Sequence, residues 1–290
     1  MSGPQPITAF LEQYAAHSQR WAESIHLDSP PDAESRARLD HDLPWIDATS
    51  VAAEPATARM ILGELLADLR SSAASNRYVL DRLTTALDSG DLSAEDLLRA
   101  TLVRDGPAVD RLAERIGVPT QVLHFVGVFF ARPFLSSAAR GFDPRFVEIE
   151  ATRGDCPVCG AEPALALLMP DDGQRRLWCR LCATQWPVRR LRCLSCGNAD
   201  SGTLGYFYMG EEAGRRIDYC EKCRRYIRTI DLRTLGCDQV EVLADREGLS
   251  YFDLDAAAAR EGLIPLTAEN DSAEWRRAGM GSDRKRGGQS

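Results

Sequence analysis

Eight cysteines arranged as four C-x-x-C pairs dominate the chemistry that this 290-residue sequence can support. The pairs are Cys156 with Cys159, Cys179 with Cys182, Cys193 with Cys196, and Cys220 with Cys223. Two thiolates at this spacing can bind one ion from a single tight turn, and two such turns complete a tetrahedral four-sulfur site. The sequence therefore predicts two metal sites, with dithiol redox chemistry as the chief alternative for C-x-x-C pairs.

An internal repeat indicates how the four pairs combine. Each copy has a C-x-x-C turn followed by glycine, an apolar strand, an acidic turn with a glycine, a strand that begins with two arginines, and a second C-x-x-C turn. The apolar strands are predicted at Leu167-Leu168-Met169 and Phe207-Tyr208-Met209, and the arginine pairs are Arg175-Arg176 and Arg215-Arg216. The repeat favours one site from Cys156, Cys159, Cys179 and Cys182, and another from Cys193, Cys196, Cys220 and Cys223. Interleaved pairing remains an alternative.

The residues around the C-x-x-C turns support metal binding without fixing the metal. Gly160 and Gly197 follow the first turn of each copy, where the backbone is expected to need a positive φ. Four thiolates suit zinc, a single iron or an iron–sulfur centre. The aromatic residues near the turns are expected to pack over the sulfurs; they are Trp178, Trp186, Tyr219 and Tyr226.

The residues that precede the cysteines are predicted to form helices, which must position the metal sites. Apolar residues at helical spacing predict helices within residues 6–26, 56–72, 76–89, 93–104, 107–117 and 119–139. Ser93 with Asp96 resembles a capping box, and Leu43–Ile46 is predicted to be a short buried connector. Pro133 is expected to kink or end the last helix. His124 is predicted to be a hydrogen-bonded core residue, and we find no catalytic constellation in residues 1–149.

These patterns predict an α+β chain of five parts. They are a multihelical domain (1–149), a first metal-binding unit (150–190), a second one (191–236), a C-terminal strand and helix (237–268), and a disordered tail (269–290). The strand is predicted at Val240–Leu243 and the helix at Asp253–Arg260. Cys237, which has no nearby partner, is predicted to be a buried small residue.

Charge and hydropathy limit the possible partners. The formal charge is −8 overall, made of −7 for residues 1–149, +3 for 150–236 and −4 for 237–290. No apolar run is long enough to span a membrane and no secretory signal is visible, so we expect a cytoplasmic protein without membrane insertion. A nucleic-acid-binding double zinc ribbon is an alternative, because arginines could form a basic face. These are Arg189, Arg190, Arg192, Arg215, Arg216, Arg224, Arg225 and Arg228. The acidic balance elsewhere makes nucleic acid unlikely as a partner.

The cysteine motifs carry a resemblance to a known family. Cys156-Pro-Val-Cys-Gly160, Trp178-Cys-x-Leu-Cys182 with Trp186, Cys193-x-x-Cys196, and Cys220-x-x-Cys223 with Tyr226-Ile227 resemble the formate dehydrogenase accessory protein family, FdhE. Val240 through Asp245, followed by an acidic-apolar helix, is similar to that family as well.

The resemblance implies a helical domain joined to two tandem rubredoxin-like units. It implies a cytoplasmic accessory factor that is needed for active formate dehydrogenase and is not itself a dehydrogenase. Such a factor would contact the catalytic molybdenum- or tungsten-containing subunit before that subunit is exported by the twin-arginine route. It also implies that the eight paired cysteines bind metal, with iron favoured and zinc possible. A rubredoxin-type electron carrier is a further alternative.

Overall fold

The computed structural model describes residues 6–25, 32–72, 77–147, 154–209, 214–235 and 251–266. Seven helices precede the cysteine region in these segments. They are α1 (Pro6–Ser24), α2 (Asp32–Asp40), α3 (Pro55–Ser72), α4 (Arg77–Ser89), α5 (Ala94–Leu102), α6 (Gly106–Ile116) and α7 (Thr120–Ala138). The predicted helices therefore form, and Asp32–Asp40 is an additional helix that was not predicted.

Local sequence signals set several helix ends. The hydroxyl oxygen of Ser93 accepts a hydrogen bond from the Asp96 N–H at 3.1 Å, which caps α5 as the capping box predicts. Gly117 ends α6 with a φ of 66°. At its other end, α6 begins after a short turn. The carboxylate of Asp105 caps this end by accepting a hydrogen bond from the Ala108 N–H.

Pro133 does not end α7, which excludes one of the two predicted outcomes and leaves a kink as a prediction. The helix continues to Ala138. A proline has no N–H for the carbonyl four residues earlier, which here belongs to Phe129. The hydroxyl of Tyr14 in α1 donates to that carbonyl at 2.7 Å in a buried position. A tertiary contact therefore satisfies the backbone group that proline leaves without an intrahelical partner.

The cysteine region forms one mixed sheet. Its strands are β1 (Leu165–Leu168), β2 (Arg175–Trp178), β3 (Gln185–Val188), β4 (Leu204–Phe207), β5 (Arg215–Cys220), β6 (Arg225–Asp231) and β7 (Ile264–Pro265). The order is β3-β2-β1-β6-β5-β4, and β7 pairs with β6. Each copy of the repeat is a three-stranded antiparallel meander. The two copies join through parallel pairing of β1 with β6. The fold is therefore α+β, as predicted.

The two faces of the sheet belong to two different cores. Alternate residues such as Ala166, Leu177 and Trp186 share a core with the helices; we call this the inner face. Leu165, Leu167, Trp178, Ile217 and Ile230 occupy the outer face and a second core. This second core also contains Leu254 and Ala258 of the C-terminal helix. Because side chains alternate between the two faces along each strand, the sheet packs against the helices on one side and against the C-terminal helix on the other.

The C-terminal elements cover the outer face. A short helix, α8 (Leu232–Leu235), follows β6, and α9 (Phe252–Arg260) precedes β7. The predicted helix at Asp253–Arg260 is therefore present. Cys237, the predicted strand at Val240–Leu243 and the predicted tail at 269–290 lie outside the described residues.

In the described segments, no single helix has the length and apolar character needed to cross a membrane. The helices α6 and α7 meet those criteria only when taken together, as a pair bent by 119°.

Candidate metal centre

The eight cysteines gather into two groups of four. The first cluster contains Cys156, Cys159, Cys179 and Cys182, and the second contains Cys193, Cys196, Cys220 and Cys223. Within each cluster the sulfur atoms all lie within 4.8 Å of one another. These groups coincide with the sequential pairing that the internal repeat predicts. The role of the eight cysteines as metal ligands stays a prediction.

The sulfur–sulfur distances fit a tetrahedral ion. In the first cluster, the Sγ atoms of Cys156 and Cys182 are 3.4 Å apart and those of Cys159 and Cys179 are 3.6 Å apart. The corresponding distances in the second cluster are 3.5 Å and 3.8 Å. A metal–sulfur bond of about 2.3 Å gives a tetrahedron whose edges are about 3.8 Å. A disulfide would need about 2.05 Å, so these are four-thiol sites.

The backbone builds the same turn four times. The N–H of the residue after each pair donates to the carbonyl of the first cysteine: Gly160 to Cys156, Ala183 to Cys179, Gly197 to Cys193, and Arg224 to Cys220, at 2.8–3.1 Å. All four donors have a positive φ, between 57° and 72°. The prediction for the two glycines is confirmed. Ala183 and Arg224 adopt the same conformation, which their residue types do not signal.

The clusters differ in burial. All four cysteines of the first cluster are buried, whereas Cys193, Cys196 and Cys223 of the second are half-buried. Burial raises the pKa of Cys156 well above its ordinary value, while a hydrogen bond from Cys156 lowers the pKa of Cys179. In the second cluster, a hydrogen bond from Cys193 lowers the pKa of Cys223 to about 5. Four adjacent thiols cannot all ionise without a cation between them, so a divalent ion suits each donor set.

The first cluster is attached to the helical part of the chain. The N–H groups of Trp45 and Ile46 donate to the carbonyls of Pro157 and Val158 at 2.8 Å and 3.0 Å. The guanidinium of Arg132 in α7 donates to the Arg180 carbonyl at 2.5 Å. Trp45 and Ile46 are buried, as predicted for the connector, but Leu43 at its start is 48% exposed. Both turns of this cluster are therefore held by elements outside the sheet.

The second cluster lies at the other end of the sheet, beside the edge strand β4. The side-chain amide of Asn198 donates to the Sγ of Cys220 at 3.6 Å and to the Thr203 hydroxyl at 2.8 Å. Large apolar side chains near this end are exposed, including Tyr206 (58%) and Met209 (45%). This cluster is thus the more accessible of the two.

The aromatic residues near the turns do not share one role. Trp178 and Trp186 are fully buried, on the outer and inner face respectively. Tyr226 is also buried, and its hydroxyl donates to Asp255 at 2.9 Å. Only Trp186 belongs to the same core as the first-cluster cysteines.

Histidines lie away from both clusters in the described residues. His124 is hydrogen-bonded as predicted, to Asp110 at 2.9 Å, but its side chain is 43% exposed and is not in the core. His17 contacts the buried Asp68 at 2.6 Å, a pairing of α1 with α3 that the sequence does not signal. His41 is exposed, and His26 lies outside the described residues.

The arginines of the sheet do not all lie on one face. Strand registry places Arg216 and Arg225 on the inner face and Arg215 and Arg228 on the outer face. Arg228 is also neutralised by Asp255 at 2.6 Å. This distribution disfavours a double zinc ribbon that binds nucleic acid through a single positive surface.

Comparison with known proteins gives matches to one family. The model described as "FdhE, central domain" matches residues 155–190, which contain the first cluster. The Protein FdhE homolog of Aquifex aeolicus is 32% identical over 153 residues, which is 52% of each chain. Protein FdhE of Escherichia coli O1:K1 / APEC is 34% identical over 110 residues, or 37% of this chain and 34% of that protein. The matched part thus spans about half or less of these relatives.

The fold has a counterpart in a solved structure. The crystal structure of the FdhE protein from Pseudomonas aeruginosa aligns with a TM-score of 0.59 and 21% identity. The alignment covers 91% of this chain and 93% of that one, so the likeness in fold extends beyond the cysteine region. With the family-model match and the sequence relatives, it makes this chain similar to FdhE proteins, in sequence over the cysteine region and in fold over most of its length.

Proposed function

We propose that this protein is an accessory factor for the maturation of formate dehydrogenase. In this proposal it binds the catalytic subunit in the cytoplasm, before that subunit is exported by the twin-arginine route. The similarity to FdhE proteins supports the first statement, and the exposed apolar side chains around the second cluster support a binding role. The observation that carries the proposal is the presence of two four-cysteine clusters joined by one continuous sheet.

We further propose that the protein is not an enzyme. Four protein ligands fill a tetrahedral site, whereas a catalytic metal site keeps a position open for water or substrate. A site whose four positions are all filled by protein ligands stabilises the local fold and the surface that this fold presents. The maturation role accordingly needs binding of a partner and no turnover.

The metal is proposed to be iron, following the family resemblance, with zinc as the alternative. Each cluster would hold one ion through its four thiolates. Metal analysis with an absorption spectrum of protein purified without air separates the two: iron–thiolate protein is red, and zinc protein is colourless. A metal content far below two ions per chain would contradict the assignment of the eight cysteines.

The proposed domain limits are 1–149, 150–190, 191–236, 237–268 and 269–290. Within the described residues, the first cluster shares its core with the helices and the second does not. We therefore assign a structural role to the first metal-binding unit and partner contact to the second.

Copurification tests this division of roles. Cys156→Ala with Cys159→Ala removes two ligands from the buried first cluster, so we expect loss of both the fold and the recovery of a formate dehydrogenase catalytic subunit. Cys193→Ala with Cys196→Ala is expected to retain the helices, measured by circular dichroism, and to lose the subunit. Ser195→Ala is the matched control, since it alters the same turn and keeps both thiols.

The result that would contradict the proposal is full recovery of the catalytic subunit by the folded Cys193→Ala, Cys196→Ala variant. Failure of the wild-type protein to recover any catalytic subunit from cells that make formate dehydrogenase would count against the maturation role itself.

The partial exposure of the second cluster also suits a rubredoxin-type electron carrier. In that case an iron-loaded protein shows a reversible redox wave that Cys193→Ala with Cys196→Ala abolishes. Absence of a wave in iron-loaded protein excludes this second candidate.

A further inference from the structure

A cavity of about 260 Å³ lies next to the second cluster, on the inner face of the sheet. It is bounded by β2, β4, β5 and the loop that carries Leu191 to Ser195. Its described lining holds one acidic residue, Asp218, and six arginines. These arginines are Arg175, Arg190, Arg192, Arg216, Arg225 and Arg233. Such a lining is strongly positive for a small space.

The position of these charges follows from strand registry. Leu168 of β1 pairs with Arg175 and with Asp231 of β6, while Arg216 and Asp218 pair with Thr229 and Ile227. Residues directly opposite each other project to the same face. The sheet therefore gathers Arg175, Arg216 and Asp218 onto its inner face.

Arg175 is buried without a carboxylate of its own. Only 5% of the residue is exposed. One terminal nitrogen donates to the Arg192 carbonyl at 3.2 Å, and the other lies 3.7 Å from the carboxylate of Asp218. Asp218 also lies 2.8 Å from Arg216. The Asp218 carboxylate is thus shared by the buried Arg175 and the half-buried Arg216. A second carboxylate, that of the buried Asp231, pairs with Arg233. Two carboxylates among six arginines leave net positive charge around the cavity.

Three guanidinium Nε–H groups around this cavity have no hydrogen-bond acceptor among the described residues. They belong to Arg175, Arg192 and Arg216. The Nε of Arg216 is close to Asp218 Oδ1, but at an angle that forms an ion pair without a hydrogen bond. Buried donors are normally satisfied, so three unsatisfied donors around one space indicate an acceptor that belongs there.

We propose that this cavity binds an oxyanion of the phosphate class, either free or as the head group of a small organic molecule. Guanidinium groups form paired hydrogen bonds with such oxygens, and several arginines match a doubly charged group better than a single carboxylate does. Leu168, Leu204 and Tyr206 also line the cavity, and Arg216 lies 4.5 Å from the centre of the Tyr206 ring. This mixed lining can accommodate an apolar body next to the charged head.

The nearby metal cluster offers a competing explanation. Cys193 and Cys220 line the same cavity, and four thiolates around a divalent ion carry two net negative charges. The arginines would then serve only to balance that charge. The two explanations differ in what the cavity binds and in how Asp218 acts, because Asp218 repels an added anion.

Calorimetric titration of the full-length, metal-loaded protein with inorganic phosphate and diphosphate, at constant ionic strength, tests the proposal. Arg216→Gln is expected to weaken binding at least about tenfold, since it removes a charge-assisted donor. Asp218→Asn is expected to tighten binding about tenfold, because it removes the only acidic group in the described lining. Arg176→Gln is the control: it alters the next residue of β2, on the opposite face, and should leave affinity unchanged.

The gain of affinity in Asp218→Asn is the deciding result, since a folding defect cannot produce it. Absence of binding by the wild-type protein, or unchanged affinity in Asp218→Asn, would overturn the proposal. Metal content is measured for every variant. Loss of the second metal in Arg216→Gln, together with unchanged affinity in Asp218→Asn, establishes charge balance as the role of the arginines.

The two possible sources of the oxyanion are separated by a phosphate monoester with an aromatic body, such as phenyl phosphate. Binding tighter than that of inorganic phosphate assigns the site to the head group of a small molecule. Equal binding assigns it to the free anion.

Discussion

Among single residues, Tyr14 has a role that its sequence position does not reveal. Its hydroxyl hydrogen-bonds to the Phe129 carbonyl, which Pro133 leaves without an intrahelical donor. Tyr14→Phe leaves that buried carbonyl unsatisfied. We therefore expect the free energy of unfolding to fall by about 1–3 kcal/mol, measured by urea denaturation.

The matched background for this change is Pro133→Ala. Alanine restores an N–H that can donate to the Phe129 carbonyl within the helix. Tyr14→Phe is accordingly expected to cost less in the Pro133→Ala background than in the wild-type protein. An equal cost in both backgrounds would show that the hydroxyl acts through some other contact.

Gly160 and Gly197 provide a second comparison between single residues. Both have a φ near 70°, so alanine at either position meets a similar backbone penalty. A Cβ at Gly160 would also lie 2.9 Å from Pro44, whereas one at Gly197 meets only the flexible end of Arg192 at 3.4 Å. Gly160→Ala is expected to be less stable than Gly197→Ala by about 1 kcal/mol or more, measured by thermal unfolding of metal-loaded protein. Equal stability of the two variants would mean that Pro44 can move away from the added Cβ without a measurable loss of stability.

At the scale of single residues, the sequence was most informative where chemistry restricts it. The four C-x-x-C pairs, their grouping and the two glycines follow from ligand spacing and backbone conformation. The positive φ of Ala183 and Arg224 could not be predicted, because neither residue type favours it. The hydrogen bond from Tyr14 depends on how α1 packs against α7, which no local pattern encodes.

Among the elements, α9 is held on the outer face of the sheet by Asp255. Its carboxylate accepts hydrogen bonds from the Tyr226 hydroxyl at 2.9 Å and from the Arg228 guanidinium at 2.6 Å. Burial, and then the hydrogen bond to Asp255, raise the pKa of Tyr226 to about 12. In Asp255→Asn we expect this pKa to fall towards the ordinary value of 10 without reaching it, because burial persists. Ultraviolet titration of tyrosine ionisation measures the change.

Asp253→Asn is the control for that experiment. Both aspartates lie in the first turn of α9, so either change removes a similar interaction with the helix dipole. Asp253 is exposed and lies away from Tyr226 in the hydrogen-bond network, so the tyrosine pKa should stay near 12. A fall of the same size in both variants would show that the raised pKa of Tyr226 comes from negative charge at the start of α9 and not from its hydrogen bond with Asp255.

The strands show where prediction of elements reached its limit. The repeat predicted two strands in each copy, but the third strands, β3 and β6, were missed. Pro187 argues against a strand at Gln185–Val188, yet β3 is an edge strand and tolerates a proline. The parallel pairing of β1 with β6 could not be predicted either, because it joins segments that no local signal relates.

For the whole molecule, the two clusters are expected to release metal in sequence. The first cluster is buried in the core that the helices share, and the second is half-buried at the far end of the sheet. A chelator should therefore remove the second ion first and leave the helical signal in circular dichroism largely unchanged. Removal of the first ion should then reduce that signal, since a structural four-cysteine ion supplies on the order of 10 kcal/mol to folding.

Metal content and limited proteolysis during chelation check this order. Early cleavage is expected within residues 191–236. The Cys193→Ser, Cys196→Ser variant should release one ion only, at the slower rate expected for the first cluster. Simultaneous loss of both ions from the wild-type protein would mean that the two clusters open as one cooperative unit.

The parallel pairing of β1 with β6, which joins the two copies of the repeat, has a consequence for synthesis on the ribosome. Ala166 of β1 pairs with Thr229 of β6, so β1 gains its second neighbour only after the whole second copy has been translated. Until then the nascent chain presents one open strand edge in the middle of its future sheet. All four sulfurs of the first cluster have emerged by residue 182, before any of the second copy. Early capture of that ion would hold the first meander in register during the interval, when an unpaired edge is most prone to aggregate.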